Sequence, residues 1–142
     1  MKKNAQVAGS LPTGASCSVL VVDDDEFSCE LFSEMLAAHG VAEIRTASNG
    51  QLALRALAAM ACAPDFLICD IFMPDMDGIE FLDHLAKQRY QGGILLVSGM
   101  NIEMLAIARE VAISDGLKVL GAFTKPVRHE VLAQALGLAR VD

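Results

Sequence analysis

Acidic, hydroxyl and amine side chains stand where the apolar segments of this chain end. Asp23 and Asp24 follow one apolar run, Asp70 follows a second, Ser98 follows a third, and Lys125 comes just after a fourth. If these runs are parallel strands of one sheet, their carboxyl ends share an edge, where open α/β sheets hold ligands. Crowded carboxylates are costly unless a cation neutralises them. The cluster therefore predicts a divalent metal beside a carboxylate nucleophile, with an ammonium group within reach.

Alternating strands and helices must bring these residues together. We predict five strands, at residues 18–22, 44–47, 66–69, 94–97 and 118–123. Helices are expected to follow each strand, at about residues 26–39, 51–61, 78–88, 102–113 and 128–139. Short connections between such strand–helix units imply right-handed crossovers and helices on both faces of one sheet. The pattern therefore predicts an α/β fold with a doubly wound, five-stranded parallel sheet.

The spacing of the apolar residues also predicts which helix faces are buried. The first helix is expected to bury one row of side chains, widened by a second row: Phe27, Leu31, Met35 and Ala38, with Phe32 and Leu36. The second helix is expected to bury Leu54, Leu57, Ala58 and Ala61.

Composition limits the class of protein. The chain has 142 residues, 54% of them apolar, which suits one domain with a substantial core. Its net charge of -7 argues against a nucleic-acid-binding surface. No apolar run approaches the length of a membrane span, and residues 1–16 read as a disordered tail without a signal-peptide core. We therefore expect a cytoplasmic protein, and the absence of a Cys-x-x-Cys pair favours reduced, buried cysteines.

Residues 18–140 resemble the receiver domain of bacterial two-component response regulators. The resemblance rests on four segments in this order: residues 21–26, 70–78, 98–99 and 125–126. The second segment carries the specific pattern Asp-x-x-Met-Pro-x-Met-Asp-Gly, and the last is Lys-Pro. The resemblance implies a receiver domain over residues 17–142 with the flavodoxin-like strand order 2-1-3-4-5. It also implies transfer of a phosphoryl group from a phosphohistidine to one aspartate.

The resemblance implies a metal site in which Mg²⁺ is the cofactor. Asp70 would accept the phosphoryl group and contribute to the metal site, since a carboxylate can form an aspartyl phosphate. Asp24 would bind Mg²⁺ directly, Asp23 mainly through water, and the backbone carbonyl of Phe72 would complete the protein ligands. Because Mg²⁺ keeps several waters, two or three protein oxygens suffice.

The resemblance also assigns roles to a lysine and a serine, and it implies partners. Lys125 would pair first with Asp70 and then with a phosphoryl oxygen, while Ser98 would bind another phosphoryl oxygen. The donor would be a sensor histidine kinase or a histidine phosphotransfer protein. An output domain, a partner protein or a second copy would dock on the face formed by the fourth helix, fifth strand and fifth helix. Such a domain catalyses only its own phosphotransfer and a slow autodephosphorylation.

Some residues near the motifs have a simpler interpretation, and others depart from the family pattern. Asp25 and Glu26 are expected to be acidic residues enriched at a helix N-terminus, and Asp75 and Asp77 are expected to be turn and cap residues. Ala122 occupies the position where many receivers carry Tyr or Phe, and strand alternation predicts that Phe123 faces the other side of the sheet. Bulky Phe72 follows the acceptor by two residues, so we expect it to shield an aspartyl phosphate from water and to slow its loss.

Two alternatives remain open on the sequence. A metal-dependent phosphohydrolase of the haloacid-dehalogenase type also uses an aspartate at a strand end. That class needs a second aspartate two residues after the nucleophile, where this chain has Phe72. A degenerate receiver that acts as a constitutive interaction module is the other alternative. Incubation with acetyl phosphate and Mg²⁺ distinguishes all three functions.

Overall fold

The computed structural model describes residues 17–73, 76–99 and 101–138. Within these ranges the strands are β1 (Ser18–Val22), β2 (Glu43–Ala47), β3 (Phe66–Asp70), β4 (Gly93–Ser98) and β5 (Lys118–Thr124). The helices are α1 (Glu26–Ala38), α2 (Gly50–Ala59), α3 (Gly78–Lys87), α4 (Ile102–Ser114) and α5 (His129–Leu136). The predicted tail at residues 1–16 lies outside the described residues, as does Asp75.

The strands form one parallel sheet in the order β2-β1-β3-β4-β5. This order confirms the predicted doubly wound fold, and each predicted strand end lies within one residue of the observed end. The pairing of β4 with β5 has an irregularity between Ile94 and Leu95. Beyond it, residues 121–124 of β5 pair with residues 95–98 of β4.

The sheet separates two hydrophobic cores, as the prediction of helices on both faces requires. Alternate residues of β3 point into opposite cores. Leu67 and Cys69 pack with α2, α3 and α4, while Phe66 and Ile68 pack with α1 and α5. Every residue of β3 and β4 is buried, which is typical of central strands covered on both faces. In the part of the chain that is described, no helix has the length and apolar character to cross a membrane.

The buried face of α1 differs from the predicted one. Phe27 and Leu31 are 69% and 36% exposed, whereas Ser28, Phe32 and Leu36 are buried. The two rows are adjacent on the helix and both are largely apolar, so spacing alone could not distinguish them. The Ser28 hydroxyl donates to the N-cap carboxylate at 3.0 Å. This bond closes the first turn of α1, while Phe32 and Leu36 pack into the core beneath the helix.

Two helices end earlier than predicted. α2 ends before Ala61, and both Ala58 and Ala61 are exposed instead of buried. The chain must become extended ahead of Pro64, which disfavours a helical conformation in the residue before it. Cys62 is consequently exposed, contrary to the expectation of buried cysteines. α5 ends before Gly137, whose φ of 66° gives the left-handed helix cap that glycine favours.

The start of α3 packs directly against the end of β3. The Gly78 amide donates to the Ile71 carbonyl at 2.8 Å. A Cβ atom on Gly78 would lie 2.6 Å from Ile71 Cα and 2.8 Å from the Asp70 carbonyl oxygen. Only glycine allows this approach. The Asp77 side chain accepts from the Glu80 amide at 2.8 Å, which confirms the predicted helix cap.

Candidate functional site

A crevice lies at the carboxyl edge of the sheet, where β1, β3, β4 and β5 end. Its volume is about 410 Å³. Residues from four segments line it: Asp24, Asp25, Asp70, Phe72, Met73, Gly99 and Lys125. Parallel strands that end on one side bring these distant segments together, as the sequence predicted. The crevice is thus lined by carboxylates, one ammonium group and the apolar side chains of Phe72 and Met73.

Three carboxylates converge at this crevice. Oxygen atoms of Asp23, Asp24 and Asp70 lie within 4.8 Å of one another. Asp23 and Asp70 are only 1% and 4% exposed, whereas Asp24 is exposed to solvent. The Asp25 amide donates to Asp23 Oδ1 at 2.9 Å, which holds that side chain in place. Such a group of hard oxygen ligands can hold a divalent cation.

Lys125 carries the ammonium group of the site. Its Nζ lies 2.7 Å from Asp23 Oδ2 and 3.4 Å from Asp70 Oδ2. The buried Asp23 Oδ2 has no hydrogen bond of good geometry among the described residues, so this ion pair alone compensates it. Burial lowers the pKa of Lys125, but the close contacts with the carboxylates of Asp23 and Asp70 outweigh it and raise the pKa above its ordinary value. Lys125 therefore stays protonated.

The buried position of Asp70 changes its acidity. Desolvation and the Asp23 charge raise the pKa of Asp70 from 3.8 to about 7, although the Lys125 charge and a hydrogen bond from the Phe72 amide act in the opposite direction. That amide lies 3.3 Å from Asp70 Oδ1. A cation placed among the carboxylates would favour the ionised form of Asp70, which is the nucleophilic form. The site is thus electrostatically suited to a metal ion.

Ser98 is fully buried and is absent from the crevice lining. Its Oγ accepts from the Asn101 amide at 3.4 Å. Its carbonyl accepts from the Lys125 amide at 2.9 Å, so the ends of β4 and β5 are joined beside the site. The peptide bond between Lys125 and Pro126 is cis.

Sequence reasoning missed part of the crevice lining. Asp25 was predicted only as an acidic residue at a helix N-terminus. It accepts from the Phe27 amide at 3.2 Å as the N-cap of α1, and it also lines the crevice. Met73 lines the crevice as well, although it is mostly buried. The signal for Asp25 was present, because a helix that begins directly after a strand points its N-terminus at the strand end.

The two residues at the end of β5 face opposite sides of the sheet. Ala122 packs against the core formed with α4, whereas Phe123 packs against the core formed with α1 and α5. This confirms the predicted alternation. Among the described residues that line the space between α4 and β5, none is aromatic.

The chain is similar to known proteins in both sequence and structure. The chain is 33% identical to the chemotaxis protein CheY of Treponema pallidum over 98 residues, which is 69% of this chain and 68% of that protein. It is 38% identical over 84 residues to a protein-glutamate methylesterase/protein-glutamine glutaminase of Halobacterium salinarum, which is 59% of this chain but 23% of that protein. The crystal structure of a response regulator from Colwellia psychrerythraea superposes with a TM-score of 0.71 at 33% identity, covering 85% of this chain and 94% of that chain.

The family model of the response regulator receiver domain matches residues 19–137. The matched range runs from β1 into the residue that caps α5, and so includes every strand end that forms the crevice. The chain therefore belongs to the response regulator receiver family, whose members are signalling domains of two-component systems.

Proposed function

We propose that this receiver domain is a Mg²⁺-dependent phosphorylation switch that accepts a phosphoryl group on Asp70. The observation that supports this most directly is the arrangement of one ammonium between two buried carboxylates. Lys125 Nζ lies within 3.4 Å of both Asp70 and Asp23, beside an exposed third carboxylate. A nucleophile, a charge-neutralising group and room for a cation thus share one crevice.

The donor atoms of this chain suit Mg²⁺. Asp24 and Asp70 offer carboxylate oxygens, Phe72 offers its backbone carbonyl, and Asp23 acts through water. Mg²⁺ prefers octahedral oxygen coordination and retains waters, which an open crevice allows. When bound, the metal neutralises the carboxylates and the charge on the transferring phosphoryl group.

The chemical step moves a phosphoryl group from nitrogen to oxygen. A carboxylate oxygen of Asp70 forms the new bond to phosphorus, the bond from phosphorus to the donor histidine breaks, and its electron pair stays on that nitrogen. Charge accumulates on the three equatorial phosphoryl oxygens. Lys125 and the Ser98 hydroxyl each bind one of these oxygens. This requires Lys125 to leave its contact with Asp23 and the buried Ser98 hydroxyl to turn into the crevice.

Phosphorylation would then alter a distant surface. The modification adds about two negative charges at Asp70. Because the Lys125 amide is bonded to the Ser98 carbonyl, movement of either side chain displaces the joined ends of β4 and β5. The surface formed by α4, β5 and α5 is the partner-binding face in this proposal. A sensor histidine kinase or a histidine phosphotransfer protein is the donor, and a partner protein or output domain reads the state.

Intact mass spectrometry after incubation with acetyl phosphate and Mg²⁺ tests this proposal. We expect a gain of one phosphoryl group, lost in Asp70→Asn and in chelator, and retained in the surface control Asp83→Asn. No gain in a folded protein would favour the degenerate receiver. Continuous release of phosphate from small phosphate esters, lost in Asp70→Asn, would favour the phosphohydrolase.

A further inference from the structure

A second cavity lies between α4 and β5, away from the crevice. Its volume is about 240 Å³. Five residues of α4 and one of β5 line it: Ile102, Leu105, Ala106, Arg109, Glu110 and Ala122. The buried Leu105 and the half-buried Ala122 contribute apolar surface, while Arg109 and Glu110 contribute opposite charges. Apolar cavities of roughly 150 Å³ can take up benzene, so this one has room for an aromatic ring.

The helix that lines this cavity is unusually apolar on its outer surface. Ile102 is 69% exposed and Ile113 is 51% exposed. They share one helical row with Ala106 and Arg109, because the spacing of these four residues is four, three and four. A row of exposed aliphatic side chains that runs into a cavity is typical of a binding surface.

The charged residues specify what kind of side chain the cavity suits. Arg109 is exposed and takes part in no ion pair among the described residues, and the same holds for Glu110. A guanidinium group binds the face of an aromatic ring more favourably than an aliphatic group of equal size. A free carboxylate can accept a hydrogen bond from a phenol or an indole. The guanidinium group and the carboxylate together favour the side chain of tyrosine or tryptophan as the occupant of the cavity.

The chain itself cannot supply that side chain. It contains one tyrosine and no tryptophan. The tyrosine, Tyr90, is buried, and its hydroxyl donates to the Pro64 carbonyl at 2.7 Å. Neither a second copy nor any other segment of these 142 residues therefore offers an accessible phenol or indole. The occupant must come from outside these 142 residues.

We propose that the cavity between α4 and β5 receives a tyrosine or tryptophan side chain of a partner protein, which supplies the aromatic ring that Ala122 lacks. This inference deepens the proposed function, because it names the chemistry of the partner that docks on the α4–β5–α5 face.

Titration of the ¹⁵N-labelled chain with p-cresol, the side chain of tyrosine, tests the cavity directly. The titration is done without metal or phosphoryl donor, so its outcome does not depend on phosphorylation. We expect saturable amide shifts confined to α4 and β5. The nearly isosteric 4-methylcyclohexanol should bind roughly twofold to fivefold more weakly, since it lacks the ring face that the guanidinium recognises. Equal binding of the two alcohols, or shifts spread over the molecule, would overturn the proposal.

Two substitutions and their matched controls sharpen the test. Ala122→Phe fills the cavity from within and should abolish the p-cresol shifts, whereas Ala59→Phe on the exposed end of α2 should leave them unchanged. Arg109→Met should reduce p-cresol affinity to that of 4-methylcyclohexanol, whereas Arg55→Met should not. Persistence of the shifts in Ala122→Phe contradicts the proposal. Intact-mass labelling by acetyl phosphate, measured separately on Ala122→Phe, shows whether the variant is folded and whether the phosphorylation proposal stands.

Discussion

Lys125 Nζ lies closer to Asp23 Oδ2, at 2.7 Å, than to Asp70 Oδ2, at 3.4 Å. The expected pairing of this lysine with the acceptor Asp70 is present. The ammonium also compensates Asp23, which is the more buried of the two carboxylates. A cation that enters the cluster must therefore compete with Lys125 for Asp23.

This competition predicts opposite effects of Lys125→Met on binding and on chemistry. Mg²⁺ affinity, measured by calorimetry, should rise roughly tenfold, which corresponds to about 1.4 kcal/mol of removed competition. Phosphoryl uptake from acetyl phosphate should fall by roughly 100-fold or more, because a preorganised group that binds a phosphoryl oxygen is lost. Lys118→Met on the exposed start of β5 should change neither. Unaltered Mg²⁺ affinity in Lys125→Met would show that the ammonium and the metal do not compete.

The raised pKa of Asp70 predicts how the metal-free protein responds to pH. Between the unfolded value of 3.8 and the folded value of about 7, the folded protein binds more protons than the unfolded chain. The free energy of unfolding therefore falls as the pH rises through this window. The stability that protonated Asp70 gives the folded protein relative to its ionised form is lost above the window. In chelator, Asp70→Asn should be more stable than the parent at about pH 8, by ~1 kcal/mol or more.

Thermal unfolding at about pH 5 and about pH 8 measures this effect, and the advantage of Asp70→Asn should shrink at the lower pH because the parent then becomes protonated. Saturating Mg²⁺ should reverse the order at the higher pH, since ligand binding to the folded state stabilises only the parent. An equal difference between the two proteins at both pH values would refute the assigned acidity.

The exposed ring of Phe72 predicts a long-lived phosphorylated state. Phe72 is 38% exposed and lines the crevice beside Asp70, where it limits the access of water. Phe72→Ala should shorten the lifetime of the phosphoryl group by up to about tenfold, a barrier change of about 1.4 kcal/mol. Loss of the label after removal of acetyl phosphate measures it. Phe27→Ala, which removes an exposed phenylalanine that does not line the crevice, serves as the control. An unchanged lifetime in Phe72→Ala would leave the shielding idea without support.

Arg89 predicts a gain in stability that is independent of function. It follows the end of α3 with φ at 59°, and its amide donates to the Ala86 carbonyl at 3.0 Å. This left-handed cap conformation is one that glycine adopts at lower cost. Arg89→Gly should raise the free energy of unfolding by ~1 kcal/mol, read as a higher midpoint of denaturant unfolding. Arg89→Ala removes the same side chain without relieving the backbone, so a similar gain there would rule out the conformational explanation.

The sequence predicted the parts of the structure that depend on strong local signals. Apolar runs and their flanking residues located all five strands, and the strand-end positions of Asp23, Asp70 and Lys125 predicted their convergence. The sequence-based prediction failed where two arrangements fit the local sequence equally well. On α1, the rows headed by Phe27 and Ser28 fit a helix equally well, and packing against the sheet selected the row that contains Phe32 and Leu36. The preference of Lys125 for Asp23 depends on sub-ångström geometry that no spacing rule contains.

The irregular register between β4 and β5 divides β5 into two separately paired segments. The first segment is anchored beside Gly93, while the second carries Gly121 to Thr124 in continuous pairing with the residues that end at Ser98. A small slide of the second segment can thus be absorbed at the bulge, where the extra residue already breaks the ladder. The shift at Lys125 would then reach Ala122 but would not move β2, at the opposite edge of the sheet. The domain could thus change one surface while the rest of its framework stays fixed.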